Sequence, residues 1–289
     1  MNTITGTTGL TALLGSPVSH SISPLMHNTS FDLLGLDYVY LCFDVKEDAL
    51  EDVVRGLTRC HIRGFNLTMP LKNRIVPLLD SLATEAQLIG AVNTVVVDEN
   101  GRMTGHNTDG IGFVRSALDA GCSIAGTKIV LMGAGGAATA ICAQLALSGA
   151  AEIHQFVRSS SRFYGRALNL AQKINDTLPC RAFLHDHEQT EELAEELARC
   201  SFLINATSVG MAPDTETSIL PDPSLLHKDL TVADIIYNPR KTLLLRQAEE
   251  AGCSVFNGMY MLLYQGAEAF RLWTGQEMPV EEIKERYFR

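Results

Sequence analysis

The chain has 289 residues, enough for two domains of common size, and its 46% apolar and 19% charged residues are typical of a soluble globular protein. It contains no apolar run of 18 residues and no segment that predicts a secretion signal. The formal net charge of −10 argues against a nucleic-acid partner, because phosphate backbones require basic surfaces. The seven cysteines are scattered and show no C-x-x-C spacing, so we expect no metal site and no disulfide framework, and this usage fits a reducing cytoplasm.

The first predicted strand covers residues 10–15, and a loop rich in hydroxyls follows it. Residues 16–24 contain four serines, a histidine and two prolines. Serine hydroxyls both donate and accept hydrogen bonds, so this loop suits a polyhydroxylated ligand. A structural interpretation is compatible with this one: Ser23 caps a helix with Pro24 at its first position, and that helix runs through Leu33.

A lysine follows closely on the third predicted strand. Strands are predicted at 38–45 and 65–68, with a helix at 48–57 between them. Asn66 and Thr68 share one face of the second of these strands, and Lys72 lies just beyond its carboxyl end. Open α/β sheets bind ligands at that edge, although a lysine there can also be an ordinary surface charge.

A second polar cluster precedes the middle of the chain. The elements that lead to it are a helix, a strand and a hairpin turn, predicted at 81–89, 95–97 and 99–101. Asn93 joins Asn107, Thr108 and Asp109 in the cluster, and a helix follows through residue 117. Asx-turn and helix-cap chemistry is the alternative explanation of these residues. We take this segment as the passage into a second domain.

A dinucleotide-binding fingerprint opens that second domain. An apolar strand at 129–132 leads directly into a glycine turn, and a helix of small apolar residues follows at 139–147. The pattern G-x-G-x-x-A thus stands in its strand–turn–helix context, where backbone N–H groups approach a pyrophosphate at a helix N-terminus. The predicted cofactor-binding turn comprises Gly133, Ala134, Gly135, Gly136 and Ala137.

The turn after the next strand indicates which dinucleotide is bound. The strand is predicted at 152–157, and NAD-binding folds usually carry a carboxylate near its end for the ribose 2′-hydroxyl. Here Arg158, Ser159, Ser160 and Arg162 follow instead. Two arginines and several hydroxyls suit the 2′-phosphate of NADP, whereas the alternative is a solvated basic loop.

The remaining elements complete a doubly wound pattern. We predict helices at 163–174, 190–200, 243–251 and 260–274, a short closing helix, and strands at 202–204, 232–237 and 255–259. The strands at 202–204 and 232–237 end in polar residues, as expected beside a cofactor.

Taken together, several local motifs in one order resemble the shikimate dehydrogenase family over nearly the whole chain. They are G-S-P-V-S-H-S-I-S-P-L-M-H-N (15–28), N-L-T-M-P-L-K (66–72), G-A-V-N-T (90–94), G-H-N-T-D-G-I-G (105–112), the glycine turn, N-A-T-S-V-G-M (205–211) and Q-G-A-E-A-F (265–270). In its C-terminal half, N-P-R-K-T-L-L-L-R-Q-A (238–248) and L-W-T-G (272–275) look more like the quinate/shikimate branch.

The resemblance implies roles for individual residues. Lys72 and Asp109 would be the catalytic pair at the reacting hydroxyl. The substrate would be held by Ser21, Ser23, Thr68, Asn93, Asp109, Tyr237 and Gln265, the two serines and Tyr237 at its carboxylate. Ile235 and Gly258 would join the cofactor site, with Gly258 near the nicotinamide. The family's NADP users carry N-R-T where this chain has V-R-S (157–159), so NADP is the predicted cofactor with NAD as the alternative.

The resemblance also implies the fold and the reaction. We expect an α/β protein with a substrate domain at 1–108, completed by helices at 259–289, a Rossmann domain at 109–258, and the site in the cleft between them. The expected activity is reversible reduction of 3-dehydroshikimate to shikimate, in the shikimate pathway of aromatic amino acid biosynthesis. The alternatives are a quinate or aminoshikimate-type dehydrogenase and, from another class, a non-catalytic dinucleotide or metabolite sensor. We expect a cytoplasmic monomer or homodimer, with a small-molecule substrate and no nucleic-acid or membrane partner.

Overall fold

The structure is a computed structural model that describes residues 3–288. The contacts within the chain divide it into two compact units. The first comprises residues up to 108 together with those from 263 onward, and the second is Asp109–Leu262.

The first unit contains a six-stranded mixed sheet and the helices that cover it. Its strands are β1 (Gly9–Gly15), β2 (Tyr38–Asp44), β3 (Gly64–Leu67), β4 (Ser81–Leu82), β5 (Thr94–Val97) and β6 (Met103–His106). Its helices are α1 (Ser23–Leu34), α2 (Leu50–Arg59) and α3 (Thr84–Ile89), joined by most of α9 (Met259–Thr274) and by α10 (Val280–Tyr287). Short 3-10 turns lie at Glu47–Ala49 and Val76–Leu78.

The two faces of this sheet differ in chemistry. The strand order is β2-β1-β3-β5-β6-β4, with β2, β1 and β3 parallel and β5 antiparallel to both of its neighbours. The β5–β6 pair confirms the hairpin predicted at 99–101. Because strand side chains alternate, Ala12, Leu14, Phe65 and Leu67 share an apolar face that packs with the buried residues of α2. The other face of β3 presents Asn66, which is buried but polar.

Trp273 anchors helix α9 on this sheet. The indole N–H of Trp273 donates a hydrogen bond to the carbonyl oxygen of Val95 at 3.0 Å. A Cβ added at Gly64 would collide with the same indole ring. The glycine that opens β3 is therefore needed for the close approach of α9, and β3 leads directly into the predicted Thr68–Lys72 segment.

Two predictions for this unit are wrong at the level of single elements. Ser23 is not a helix cap: Ile22 holds the N-cap position, and the N–H of Ser23 donates to Ser21 Oγ at 3.2 Å. The helix predicted at 81–89 begins only at Thr84, because Ser81 and Leu82 pair with β6 as a short parallel strand. Strand pairing across the fold overrides the local helical preference there.

The second unit is a parallel α/β domain. Its strands are β7 (Lys128–Met132), β8 (Glu152–Val157), β9 (Arg181–Asp186), β10 (Phe202–Asn205), β11 (Thr231–Asp234) and β12 (Ser254–Asn257). Its helices are α4 (Thr108–Asp119), α5 (Gly136–Leu147), α6 (Tyr164–Thr177), α7 (Thr190–Leu197) and α8 (Leu243–Glu250), with a 3-10 turn at Pro223–Leu225.

The strand order of this unit confirms the predicted Rossmann domain. The order β12-β11-β10-β7-β8-β9, with every pair parallel, is the doubly wound arrangement in which the order reverses between β7 and β10. Residues 129–132 of β7 are fully buried, as expected of a strand covered on both faces. The strand predicted at 152–157 has those same bounds in β8.

Strand β9 has no counterpart among the predicted elements. It pairs with β8 along its whole length, from Arg181 opposite Glu152 to Asp186 opposite Val157. Strand β9 lies at the edge of the sheet, and its Phe183 is 42% exposed. Because such a strand is only partly buried, its sequence does not need the apolar run by which a buried strand is identified. Within residues 3–288, no helix combines the length and apolarity needed to cross a bilayer.

A buried histidine lies among aromatic rings in the first unit. The ring of His27 stacks on Tyr40 with centroids 4.4 Å apart and lies 5.3 Å from Trp273 and 6.1 Å from Phe270. Neither ring nitrogen has a hydrogen-bond partner among the described residues. Burial therefore lowers the pKa of His27 to about 3, and the imidazole stays neutral in the folded protein.

We expect His27 to make the folded protein sensitive to acid. The unfolded chain protonates this group below pH 6.5 and the folded chain does not, so its stability contribution is complete above pH 6.5 and is lost as the pH falls toward 3. At about pH 5 the loss is about 2 kcal/mol relative to neutral pH. Urea unfolding near pH 7.5 and pH 5 should show this loss in the wild type and a smaller one in His27→Phe. The exposed His61, replaced by Asn, is the matched control, and a His27→Phe variant that is as acid-sensitive as the wild type would contradict the assignment.

Candidate active site

Two segments of the first unit meet at the carboxyl ends of β1 and β3. The N–H of Ser16 donates to the carbonyl oxygen of Met69 at 3.1 Å, and the N–H of Thr68 donates to Leu14 at 3.0 Å. Gly15 is required there, because a Cβ at this position would collide with the side chain of Thr68. The hydroxyl-rich loop 16–24 and the segment that carries Thr68 and Lys72 therefore lie at one edge of the sheet.

The two predicted serines are held by groups on β2. The hydroxyl of Ser23 hydrogen-bonds with Tyr40, and that of Ser21 with Cys42. Burial raises the pKa of Tyr40, so its phenol stays protonated and can donate at neutral pH. Both serine side chains are partly exposed, which leaves them accessible to a ligand.

A buried polar network extends from Tyr40 to the predicted Asn93. The Tyr40 hydroxyl donates to Asn66 Oδ1 at 2.8 Å, and Asn66 Nδ2 donates to Thr94 Oγ1 at 2.9 Å and to the Asn93 carbonyl at 3.2 Å. Asn93 Oδ1 accepts from the N–H of Thr108 at 2.8 Å. Because an N–H donates to Oδ1, the orientation of the Asn93 amide is defined. The network holds the polar face of β3 and β5 in one arrangement.

Lys72 and Gln265 lie on separate elements of this unit. Lys72 is partly buried, and its carbonyl oxygen accepts from the N–H of Val92 at 2.9 Å, which ties its backbone to the segment before Asn93. Gln265 is partly buried on α9 beside Gly266, where a Cβ would lie 2.8 Å from Met26 Cε of α1. The close packing of α9 on α1 thus positions Gln265.

In the second unit, the glycine turn is held from two sides. Gly133 has φ +105°, and a Cβ there would lie 2.7 Å from Thr207 Cγ2. Its carbonyl oxygen accepts from Gln155 Nε2 at 2.7 Å, and that of Ala134 accepts from Arg166 Nη2 at 2.7 Å. With both carbonyls engaged, the turn has a defined orientation at the N-terminus of α5.

The space in front of this turn fits a dinucleotide. Cβ atoms built on Gly135 and Gly136 would meet no protein atom within 4 Å. The turn borders a cleft of about 810 Å³ at the point where the strand order reverses, the usual ligand site of such sheets. The predicted site residues that line this cleft are Gly133, Ala134, Gly135, Gly136, Ala137, Arg158, Ile235 and Tyr237. Open backbone N–H groups at a helix N-terminus favour a pyrophosphate there.

The loop after β8 divides into residues that line the cleft and residues that do not. Arg158 lines it, and so do Ser161 and Phe163, which were not among the predicted site residues. Ser159 instead hydrogen-bonds to Asp186 at the end of β9. Ser160 and Arg162 are exposed and are not among the lining residues, and the Arg162 guanidinium lies 4.7 Å from the centre of the Phe163 ring.

Gly258 and Asp109 depend on close backbone packing. A Cβ at Gly258 would collide with the carbonyl of Ile235, so this glycine lets the end of β12 approach the end of β11. Asp109 lies in the first turn of α4, and Gly110 beside it packs against the backbone of Ala140 in α5. Asp109 is therefore carried by a helix packed on the fingerprint helix.

Further lining residues come from segments distant in the sequence. His187 follows β9, and Ala206, Thr207 and Val209 follow β10. The motif N-A-T-S-V-G-M contains the last three, but His187 follows a strand that the sequence did not indicate. Among the described residues, no group of three or more His, Cys, Asp or Glu side chains could hold a metal ion.

Known proteins resemble the chain over nearly its full length. Family models described as the shikimate dehydrogenase substrate binding domain and the shikimate 5′-dehydrogenase C-terminal domain match residues 13–95 and 258–286. A shikimate dehydrogenase (NADP(+)) of Listeria monocytogenes serotype 4b (strain F2365) is 49% identical over 285 residues, covering 99% of this chain and 97% of that protein.

Two solved structures have the same overall fold. The crystal structure of shikimate 5-dehydrogenase from Listeria monocytogenes in complex with shikimate and NAD has a TM-score of 0.95 and 49% identity, covering 99% of this chain and 98% of that one. Quinate dehydrogenase from Corynebacterium glutamicum in complex with NAD has a TM-score of 0.85 and 31% identity, covering 97% of this chain and 99% of that one.

Gly135→Ala should separate dinucleotide binding from stability. The new methyl group meets no protein atom, and Gly135 has φ −65°, which alanine adopts readily. It would occupy the space where the backbone approaches a pyrophosphate, so we expect NADPH affinity to fall by at least about tenfold while Tm changes by less than about 2 °C. Fluorescence titration with NADPH and thermal unfolding measure the two effects. Gly165→Ala, an equally unobstructed glycine outside the cleft, is the control, and unchanged NADPH affinity in Gly135→Ala would refute this binding mode.

Proposed function

The chain belongs to the shikimate dehydrogenase family, and on this premise we propose that it catalyses the reversible, NADP-dependent oxidation of shikimate to 3-dehydroshikimate. The observation that carries the proposal is identity of 49% along 99% of the chain to a protein of that name. The open glycine turn at the reversal of the Rossmann sheet and the hydroxyl-lined edge of the first unit support it. The reaction belongs to the shikimate pathway of aromatic amino acid biosynthesis.

We assign the substrate carboxylate to Ser21 and Ser23, with Tyr237 contributing at the same end. The support is the position of both serines in a loop at a strand's carboxyl end, with partly exposed hydroxyls. Their links to Tyr40 and Cys42 limit the rotation of both side chains. Hydroxyl groups held in this way lose little further freedom on binding a carboxylate.

We assign the ring hydroxyls of the substrate to Thr68, Asn93 and Gln265. The assignment of Asn93 is supported by the buried network that orients its amide, and that of Thr68 by the close packing of its side chain against Gly15. An amide and a hydroxyl can each donate and accept, which matches the hydroxyl groups of a polyol. A site built from such groups discriminates against substrates that lack a hydroxyl, because its buried polar groups would then remain unpaired.

Lys72 and Asp109 are the proposed catalytic pair. NADP, when bound, accepts the hydride released from the carbon that bears the reacting hydroxyl. The oxidised hydroxyl must also lose its proton, and we assign Lys72 as the group that takes it and returns it in the reverse direction. The backbone tie between Lys72 and Val92 supports a fixed position for this residue. Asp109 is proposed to orient the reacting hydroxyl and the lysine.

The cofactor assignment rests on the loop after β8. Arg158 lines the cleft, and no carboxylate stands at the end of β8 to select the ribose 2′-hydroxyl of NAD. NADP is therefore assigned, with NAD as an accepted alternative, since the Listeria structure of similar sequence was determined with NAD. We further propose a cytoplasmic location, consistent with seven free cysteines, and a monomer or homodimer.

Turnover of a small substrate panel tests the activity. Absorbance at 340 nm should be followed with shikimate or quinate, each combined with NADP or NAD. We expect the highest kcat/KM for shikimate with NADP, and slower use of quinate would add the broader activity of the related branch. Binding of NADPH without turnover of either substrate would make the protein a sensor and overturn the proposal. A clear preference for quinate would replace shikimate as the main substrate.

Lys72→Ala tests the catalytic assignment. We expect kcat for shikimate to fall by about 10²–10⁴-fold, the usual contribution of general acid–base catalysis, with NADPH affinity unchanged. Steady-state kinetics and NADPH titration measure both quantities. Lys46→Ala removes an exposed lysine from the same unit and should leave kcat unaltered. If Lys72→Ala kept more than about a tenth of the wild-type kcat, another group would have to move the proton.

A further inference from the structure

One corner of the cofactor cleft combines a histidine with the arginine of the β8–α6 loop. His187 directly follows β9, and its N–H donates to the carbonyl oxygen of Val157 at 3.1 Å. Val157 is the last residue of β8 and precedes Arg158. The pairing of the two strands therefore brings His187 beside Arg158, and both line the cleft together with Ser161.

Asp186, which precedes His187 in the chain, is already engaged by hydrogen bonds from its own segment and from the loop after β8. Asp186 Oδ1 accepts from the N–H of Glu188 at 3.1 Å, and the carboxylate also accepts from the hydroxyl and the N–H of Ser159. These hydrogen bonds hold the pKa of Asp186 below its usual range, so it stays ionised and bonded. Asp186 thus fixes the loop that carries Arg158 rather than presenting a carboxylate to a ribose.

The free protein keeps His187 largely neutral. Burial lowers its pKa, and the positive charge of Arg158 lowers it further. Asp186 and Glu188, its chain neighbours, act in the opposite direction without cancelling the shift. The groups that face this imidazole are therefore one cation from the β8–α6 loop and two carboxylates from its own segment.

We propose that His187 is a specificity-determining residue for NADP, joining Arg158 and Ser161 around the 2′-phosphate and taking up a proton as that phosphate binds. The inference rests on the proposed function for the identity of the cofactor and assigns a further residue to its binding. The dianionic phosphate would compensate the charge of Arg158, so the imidazolium becomes favourable in the complex. NAD has no phosphate at this position and leaves His187 neutral.

The proton uptake sets a pH dependence for NADP alone. The affinity for NADP falls as the pH rises through the pKa that His187 has in the complex, because the proton it needs becomes scarcer. The affinity for NAD does not follow this trend. Measurements belong above about pH 7, where the 2′-phosphate, whose second pKa is about 6, is already dianionic in solution.

Calorimetric titration of the full chain with NADP and with NAD tests the proposal. Titration in two buffers of different ionisation enthalpy should show proton uptake by the wild type with NADP and none with NAD. His187→Gln should bind NADP at least about tenfold more weakly, with NAD affinity within about twofold of the wild type and no proton uptake. His187→Lys, which carries a fixed charge, should restore NADP affinity without uptake. His61→Asn removes an exposed imidazole from the first unit as the control.

The NAD titration separates specificity from a merely structural role. Equal losses of NADP and NAD affinity in His187→Gln, or wild-type NADP affinity in that variant, would overturn the proposal. Proton uptake that persists in His187→Lys would place the proton on another group and overturn it as well. Because no substrate is present, these results stand whether or not the protein oxidises shikimate, and absence of turnover would count only against the proposed function.

Discussion

The second unit depends on the close approach of two strand ends, those of β7 and β10. Gly133 can face Thr207 at this point only because it has no side chain and adopts φ +105°. Once the turn is seated there, Gln155 and Arg166 hold the carbonyls of Gly133 and Ala134. Gly135 and Gly136, the next residues of the turn, line the cleft, and α5 begins there. A single constraint on backbone distance thus accounts for the glycines, the polar side chains behind them and the anion-binding character of the turn.

In the first unit, the groups proposed to bind the substrate are side chains rather than backbone, so hydrogen bonds must fix their orientation. Tyr40, Asn66 and Thr94 form a fully buried chain of hydrogen bonds that leads to Asn93. Each member satisfies the next, which is the condition under which buried polar groups stabilise a single arrangement. The apolar face of the same sheet supplies the hydrophobic packing, so neighbouring residues of β3 belong alternately to the apolar core and to the polar network.

Elements that depend on residues close together in the sequence were predicted correctly, whereas those that depend on contacts between distant residues were not. The bounds of β8 and the turn after β7 follow from contiguous residues, apolar runs and glycine spacing, and the structure confirms both. The cap assigned to Ser23 was wrong because the N–H groups that it would bind, those of Leu25 and Met26, donate to the carbonyl oxygen of Ile22. The helix start at residue 81 was wrong because Ser81 and Leu82 pair with β6. His187 could not be associated with Arg158, since their proximity arises only from the pairing of β8 with an edge strand that lacks an apolar pattern.

The chain leaves the first unit at Thr108 and returns to it within α9, so this unit is assembled from two distant segments. Trp273, which bonds to Val95 and packs against Gly64, belongs to the returning segment. During synthesis, the whole of Asp109–Leu262 emerges before that tryptophan does. The sheet of the first unit therefore cannot acquire its last helices until the whole second unit has been synthesised. A chain truncated before Trp273 would keep every strand of the second unit and lose the indole that bonds to β5, so the damage would fall on the unit encoded first.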